Sequence, residues 1–324
     1  QLFRAEVAGP IADKLTPRVK QTAKLLWGIY IGLVLILCLI LKLEGLTWFD
    51  SLCHSFTTIA TAGFSTKTSS IGAFSPMIQW TIILFMFIAA TNFSLHYYFI
   101  AKGKFDYFKD QEFRVYFGLT IFISILFFIN IIDYKNYNLS FSTLRHSIFS
   151  AVSILTTTGF TTENFNDWPE MSRTILFFMF FIGGSAGSTT GGMKIIRSIL
   201  VFKYLVYEIR KLLHPNGVFN IKIGKKTIDD NVVRATLGFY LFYIFIFIFT
   251  TIFLSSTGLD MTSALSASAA SIGNIGPGLG TIGPANNWGH LNDISKWLTS
   301  FCMLLGRLEI FTVMVLLSRS FWRK

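Results

Sequence analysis

The sequence predicts an all-α integral membrane protein built from tandem repeats. Three observations carry this: a composition too apolar for a soluble domain, apolar runs long enough to cross a bilayer, and three recurrences of one short glycine-containing segment. Of 324 residues, 52% are hydrophobic and 14% charged, and the mean hydropathy is +0.56. A soluble domain carries roughly 25% charged residues. The 35 Phe residues suit lipid-facing and helix-packing surfaces. Apolar runs of about 20 residues indicate spanning helices rather than a barrel.

Residues 1–24 are polar and basic, interrupted by Pro10 and Pro17. They lack the pattern of a signal peptide, and an opening on Gln1 reads as part of a longer product. The first unit covers 25–101. It holds a span at 25–43, a half-length segment at 47–61, the glycine segment Thr61-Ala62-Gly63-Phe64-Ser65-Thr66 and a span at 77–101. A charged loop follows at 102–114.

The second unit covers 115–212. It repeats the order with a span at 115–132, a half-length segment at 141–157, Thr157-Thr158-Gly159-Phe160-Thr161-Thr162, and an apolar run from 171. A basic loop occupies 213–234. The third unit, 235–318, has a span at 235–256, a half-length segment at 259–273, Asn274-Ile275-Gly276-Pro277-Gly278 and a span at 295–318. Residues 319–324 form a tail. Gly63, Gly159 and Gly276 are 96 and 117 residues apart, the added length lying mostly in the basic loop. A regular internal repeat is a stronger signal than any single motif.

Lys and Arg predict orientation. Arg4, Lys14, Arg18, Lys20 and Lys24 fall on one side, with Lys102, Lys104, Lys109 and Arg114. Lys194, Arg197, Lys203, Arg210, Lys211, Lys222, Lys225, Lys226, Arg234, Arg319, Arg323 and Lys324 join them. This side is expected to be cytoplasmic, termini included, with the glycine segments opening outward. The net charge of +11 is then a topogenic charge that also favours anionic membrane lipid. It leaves no folded basic face for nucleic acid.

Cys38, Cys53 and Cys302 lie within apolar segments without metal-ligand spacing, so free thiols are expected. His54, His96 and His146 likewise read as packing or interfacial residues. Trp27, Trp48, Trp80, Trp168 and Trp288 stand near segment ends and read as interfacial anchors. Asn92-Phe93-Ser94 and Asn138-Leu139-Ser140 match a short glycosylation pattern, the former inside a span.

A half-length helix followed by a polar turn cannot face lipid, because its backbone groups would lack partners; it must be buried in protein or line water. Three such re-entrant segments point to a shared aqueous path. None carries an acid or a base, so acid–base chemistry and carboxylate coordination are poorly served. Backbone carbonyls can replace the hydration shell of an alkali cation. Glycine gives the backbone freedom to aim them at one axis, and helix C-termini facing inward would favour a cation. The bland alternative is a capped turn between helices, against which the threefold repetition weighs.

These segments, with Gly183-Gly184-Ser185-Ala186-Gly187-Ser188-Thr189-Thr190-Gly191-Gly192 and Gly306-Arg307-Leu308-Glu309, make the chain resemble the Trk/Ktr/HKT superfamily of potassium translocation proteins. The resemblance is closest to the Trk-type membrane subunit and covers the whole chain. It implies helix–pore loop–helix repeats around a central ion pore, four in number. The three present are read as the second, third and fourth, the first lying before Gln1. It further implies a potassium-binding filter of Thr61, Ala62, Gly63, Thr157, Thr158, Gly159, Asn274, Ile275 and Gly276. Potassium is the substrate and no cofactor is expected. The implied assembly is a homodimer in the bacterial inner membrane, joined to a cytoplasmic ring of nucleotide-binding regulatory subunits.

The glycine-rich run sits in an apolar stretch from 171 to 212. As one helix this would be ~60 Å long at ~1.5 Å per residue, twice the ~30 Å hydrocarbon core. It must break or emerge, and five glycines in ten residues favour a break. A phosphate loop is disfavoured because GxxxxGK[ST] is absent. GxxxG helix packing is a second reading. The resemblance implies a third, a movable gate below the filter, with Ser185, Ser188, Thr189 and Thr190 facing water.

Arg307, within a predicted span, is by default a functional candidate. By residue count it reaches the level of Gly183–Gly187, where it can bind loop carbonyls and place positive charge in the ion path. Glu309 is two residues away and faces elsewhere on a helix, so it needs another partner. Two rivals remain: a sodium- or proton-coupled symporter of the same fold, for which Glu309 is the clear intramembrane acid, and an intramembrane enzyme. The enzyme is disfavoured because HExxH and GxSxG are absent and no His of the segments stands beside an acid.

Overall fold

The computed structural model describes residues 19–132, 134, 139–224, 226–317 and 319–322. The expectations for Arg4, Lys14, Arg18, Asn138, Lys225, Arg323 and Lys324 lie outside these residues.

Each repeat opens with a long apolar helix: α1 (Val19–Leu43), α5 (Gln111–Ile131) and α9 (Asp230–Ser256). All three are long and apolar enough to cross a membrane. Each is two-faced. Leu37 and Leu41 of α1, Tyr116 and Phe127 of α5, and Phe239 and Tyr243 of α9 are buried. Ile31, Leu35 and Leu39, then Phe122, Ile125 and Ile129, then Leu241, Phe245 and Ile252 are exposed. Apolar stripes at helical spacing on the outside are lipid-facing surfaces.

A half-length helix follows in each repeat: α2 (Trp48–Ile59), α6 (Phe141–Leu155) and α10 (Met261–Gly273). Thr47, Ser140 and Asp260 cap them, each side chain accepting from the backbone N–H three residues on. α6 and α10 are buried along most of their length, whereas α2 buries Ser51, His54, Ser55 and Thr58 and exposes Phe49, Leu52 and Phe56.

The segment after the glycine turn, the second span of every repeat, is broken. In the first, α3 (Pro76–Ala89) and α4 (Phe93–Lys102) meet at 95°. In the second, α7 (Glu170–Met179) and α8 (Ile195–Leu213) are separated by the glycine-rich loop. In the third, α11 (Asp293–Arg307) and α12 (Ile310–Leu317) meet at 111°. Single spans were expected at 77–101 and 295–318. Tertiary contacts make the breaks. The Ala90 carbonyl accepts from the Ser185 N–H at 2.9 Å, and the Phe93 N–H donates to the Gly187 carbonyl at 3.1 Å. Asn92 caps the new helix through the Ser94 N–H at 2.8 Å. At the other break Glu309 adopts φ +58° and its carboxylate is bound by Arg197.

The 213–234 stretch contains a small antiparallel hairpin, β1 (Lys222–Ile223) with β2 (Lys226–Thr227). Ile221, Ile223 and Ile228 anchor it on Ile196 and Leu200 of α8 and Val233 of α9. A short helix α13 (Arg319–Trp322) ends the described chain.

Trp168 departs from its expected interfacial position. It is 2% exposed and packs edge-on against Phe127, 5.4 Å away. Trp27 and Trp48 are exposed, at 66% and 56%.

Candidate functional site

The half-helices end in three equivalent turns. Two residues before each motif glycine, Thr61, Thr157 and Asn274 take left-handed φ of 49°, 53° and 55°. Gly63, Gly159 and Gly276 follow at φ 67°, 81° and 104°. Left-handed backbone is unfavourable for a threonine by roughly 1–2 kcal/mol, so this geometry is imposed by the surroundings. The turn N–H groups fold back onto the helix ends. Ala62 donates to the Thr57 carbonyl (2.8 Å), Thr158 to Ser153 (2.9 Å) and Ile275 to Ala270 (3.0 Å). With the donors turned back, the carbonyls of residues 61–63, 157–159 and 274–276 are left over. Among the described residues, no hydrogen bond ends on any of these nine oxygens.

The three turns stack edge to edge. A methyl group on Gly63 would overlap the Thr158 carbonyl, and one on Gly159 would overlap the Ile275 carbonyl. Gly276 faces open space. The turns therefore form an open arc in chain order. The middle turn, Thr157–Phe160, is buried throughout, as its central place requires.

Braces hold the arc. Ile71 and Gly72 N–H groups donate to the Thr161 carbonyl at 3.0 and 3.2 Å, joining first to second. Asn166 joins second to third, donating to the Gly280 carbonyl and accepting from its N–H, both at 3.0 Å. Thirteen residues before each motif glycine stands a side chain that grips its own return segment. Asp50 accepts from Thr66 Oγ1 (2.5 Å), His146 Nδ1 pairs with Thr162 Oγ1 (2.9 Å), and Ser263 accepts from the Thr281 N–H (2.8 Å). His54 adds a bond to Ser65 Oγ at 2.9 Å, so His54 and His146 brace the turns as well as packing.

The glycine-rich loop lies against the helix ends beneath the arc. Thr61 Oγ1 donates to the Thr189 carbonyl (2.8 Å), and Thr189 Oγ1 donates to the Ile59 carbonyl (2.8 Å). The Gly191 N–H donates to Thr157 Oγ1 (2.7 Å), and a methyl on Gly191 would press on the Gly273 carbonyl. All three repeats thus meet this loop. Gly183 bonds back to Met193, closing the loop at its neck, while Gly187 is exposed. Ser188 and Thr189 are half-buried, but Ser185 and Thr190 are buried rather than facing water. Ser185 is buried, and its backbone N–H donates to the Ala90 carbonyl. Thr190 is held by Lys194, whose ammonium binds its carbonyl and, at 2.8 Å, its hydroxyl.

Lys194 is therefore buried in the loop floor and not displayed on the basic side. Glu112, expected in a charged loop, is also buried. Its Oε1 accepts from the Ala186 N–H (2.8 Å) and the Ile196 N–H (3.0 Å), gripping the loop at two points. Glu309 pairs with Arg197, giving it the partner that Arg307 cannot be.

Arg307 ends α11 and is exposed, donating through Nη2 to the Ala60 carbonyl at 3.3 Å. It was expected to bind carbonyls of residues 183–192; it reaches instead the end of α2. Ala60 adjoins Ile59, which Thr189 binds, so the guanidinium and the loop address neighbouring carbonyls. Gly306 permits this approach, since a methyl there would overlap the Ile272 carbonyl.

The family model for TrkH, described as cation transport protein, matches residues 1–324. The chain is 42% identical over 328 residues to the Trk system potassium uptake protein TrkH of Vibrio parahaemolyticus. It is 39% identical over 327 residues to the protein of that name from Escherichia coli K12. In both cases 100% of this chain and 67% of the relative are covered. The crystal structure of the potassium transporter TrkH from Vibrio parahaemolyticus superposes with a TM-score of 0.88 at 42% identity, covering 95% of this chain and 66% of that one. The chain thus spans about two thirds of the length of these relatives. It belongs to the TrkH family of cation transport proteins.

Proposed function

We propose that the chain contributes most of a potassium uptake pathway across the bacterial inner membrane, with potassium as substrate. The ion sheds water against the carbonyls of Thr61, Ala62, Gly63, Thr157, Thr158, Gly159, Asn274, Ile275 and Gly276. The observation that carries this reading is the set of nine carbonyls without internal donors on three stacked turns. Carbonyl rings replace an ion's hydration shell without needing side-chain charge. The C-termini of α2, α6 and α10 add a partial negative potential at the same place.

Residues 183–192 form the gate, held shut by Thr61, Thr157, Glu112 and Lys194. Arg307 adds a positive barrier on the inner side. The open side of Gly276 suits the fourth carbonyl loop that the resemblance implies. The basic face is cytoplasmic, and the working assembly is a homodimer carrying a ring of nucleotide-binding subunits on the basic loops. The Trk system naming of the relatives supports a multi-component system.

A second reading, ion-coupled symport, is favoured by the buried carboxylate of Glu112 beside the loop. Rubidium-86 uptake by the full-length protein in potassium-uptake-deficient cells, with sodium as competitor, tests both. Uptake that resists excess sodium and gives single-channel steps supports the pore. Saturation at low turnover with sodium or proton dependence favours symport. No rubidium uptake in any condition removes the potassium reading.

A further inference from the structure

Away from the glycine turns, α5, α8 and the hairpin enclose a cleft of about 890 Å³. Its two ends differ in chemistry. Val115, Leu119, Ile182 and Ile199 line the end nearer the glycine-rich loop, and Lys203, Arg210 and Lys222 line the other. Helix geometry separates these ends. Leu119 lies eight residues along α5 from Gln111, and Arg210 lies fifteen along α8 from Ile195, or ~12 and ~22 Å. No Asp or Glu lines the cleft among the described residues. Lys203 is committed to structure, donating to Gln111 Oε1 at 3.0 Å. Arg210 and Lys222 are exposed.

We propose that this cleft binds one anionic phospholipid, its phosphodiester headgroup on Arg210 and Lys222 and an acyl chain along the apolar wall. The basic rim selects a negative headgroup, and guanidinium is suited to phosphate oxygens. Basic pockets at helix ends are places where anionic headgroups bind. The apolar wall offers a free phosphate nothing. It would also leave the backbone groups of an inserted peptide without partners, whereas an acyl chain has none to satisfy. Ile182 and Ile195 line the same cleft and flank the gate loop, so the bound lipid bears on the loop's two ends.

The test is native mass spectrometry of the full-length protein in detergent, with dioleoyl phosphatidylglycerol, dioleoyl phosphatidylcholine and glycerol 3-phosphate as probes. Phosphatidylglycerol is expected to be retained at least tenfold more strongly than phosphatidylcholine, with no competition from glycerol 3-phosphate. Arg210→Gln with Lys222→Gln should remove that preference. Leu119→Trp, which fills the apolar end, should weaken both lipids alike. Melting temperatures without lipid confirm that the variants fold. Equal retention of the two lipids, or an unchanged preference in the double variant, would overturn the proposal. So would protection of Tyr207 and Phe219 that rises with protein concentration in delipidated samples, which would assign the face to a second copy.

Discussion

Thr61 Oγ1 donates a hydrogen bond to the Thr189 carbonyl at 2.8 Å, although the two residues stand 128 positions apart. Thr61 belongs to the first glycine turn and Thr189 to the glycine-rich loop. The bond therefore joins the proposed filter directly to the proposed gate.

Thr189→Ala tests the reciprocal bonds, those the Thr189 side chain makes beside that join. The substitution keeps the Thr189 carbonyl but removes the side-chain bonds to Ile59 and Ala89. At roughly 0.5–1.5 kcal/mol for a hydrogen bond, the loop's closed arrangement should weaken enough to raise resting rubidium uptake about threefold to tenfold. Unchanged resting uptake in folded protein would detach the loop from gating.

Glu112 provides a second handle on the same loop. Glu112→Ala leaves the Ala186 and Ile196 N–H groups without their acceptor, each a loss of roughly 1–3 kcal/mol. Hydrogen exchange at these two amides should accelerate by about tenfold or more, and resting uptake should rise. Glu112→Gln retains an acceptor oxygen and should give a milder change. Equal protection in all three proteins would contradict this role.

Arg307→Ala removes the guanidinium from the Ala60 carbonyl and with it a positive charge beside the end of α2. Resting uptake is expected to increase, and Arg307→Lys should restore part of the barrier because it restores the charge. Lower uptake in a stably folded Arg307→Ala protein would weaken the barrier assignment.

Methyl groups on the motif glycines should have unequal consequences. Gly159→Ala combines left-handed strain with overlap on the Ile275 carbonyl, while Gly276→Ala meets no atom within 4 Å. Strain and overpacking each carry roughly 1–3 kcal/mol. In thermal unfolding of this chain, Gly159→Ala should therefore be the more destabilising by about 1–3 kcal/mol. Equal losses would argue against edge-to-edge stacking of the turns.

The repeat, the half-helices and the glycine-rich break were legible because each leaves a local signature. Apolar runs, a polar turn after a short helix and five glycines in ten residues need no tertiary information. The breaks at Ala90–Asn92 and Leu308–Glu309 were not legible. At the first, only Thr91 and Asn92 interrupt a run that is apolar on both sides, and the second depends on Arg197 reaching Glu309 from another repeat. Thr61 and Thr157 were placed in the site, but their left-handed backbone contradicts threonine's own preference and arises from the packed arc.

The equivalent braces leave no sequence signature, because one position is filled by Asp50, His146 and Ser263, three different chemistries doing one job. Glu112 lies within the charged 102–114 stretch, where its local sequence reads as solvated. The partners that bury it, Ala186 and Ile196, lie more than 70 residues away. Lys194 could have been suspected from its place just after the glycine-rich run.

The central claim is that potassium is held by backbone carbonyls and not by side chains. Anomalous diffraction from crystals of the full-length protein grown with rubidium tests it most directly. The account predicts rubidium peaks on the axis faced by the carbonyls of residues 61–63, 157–159 and 274–276, coordinated by those oxygens. Peaks at the Glu112 or Glu309 carboxylates, with none among these carbonyls, would contradict it.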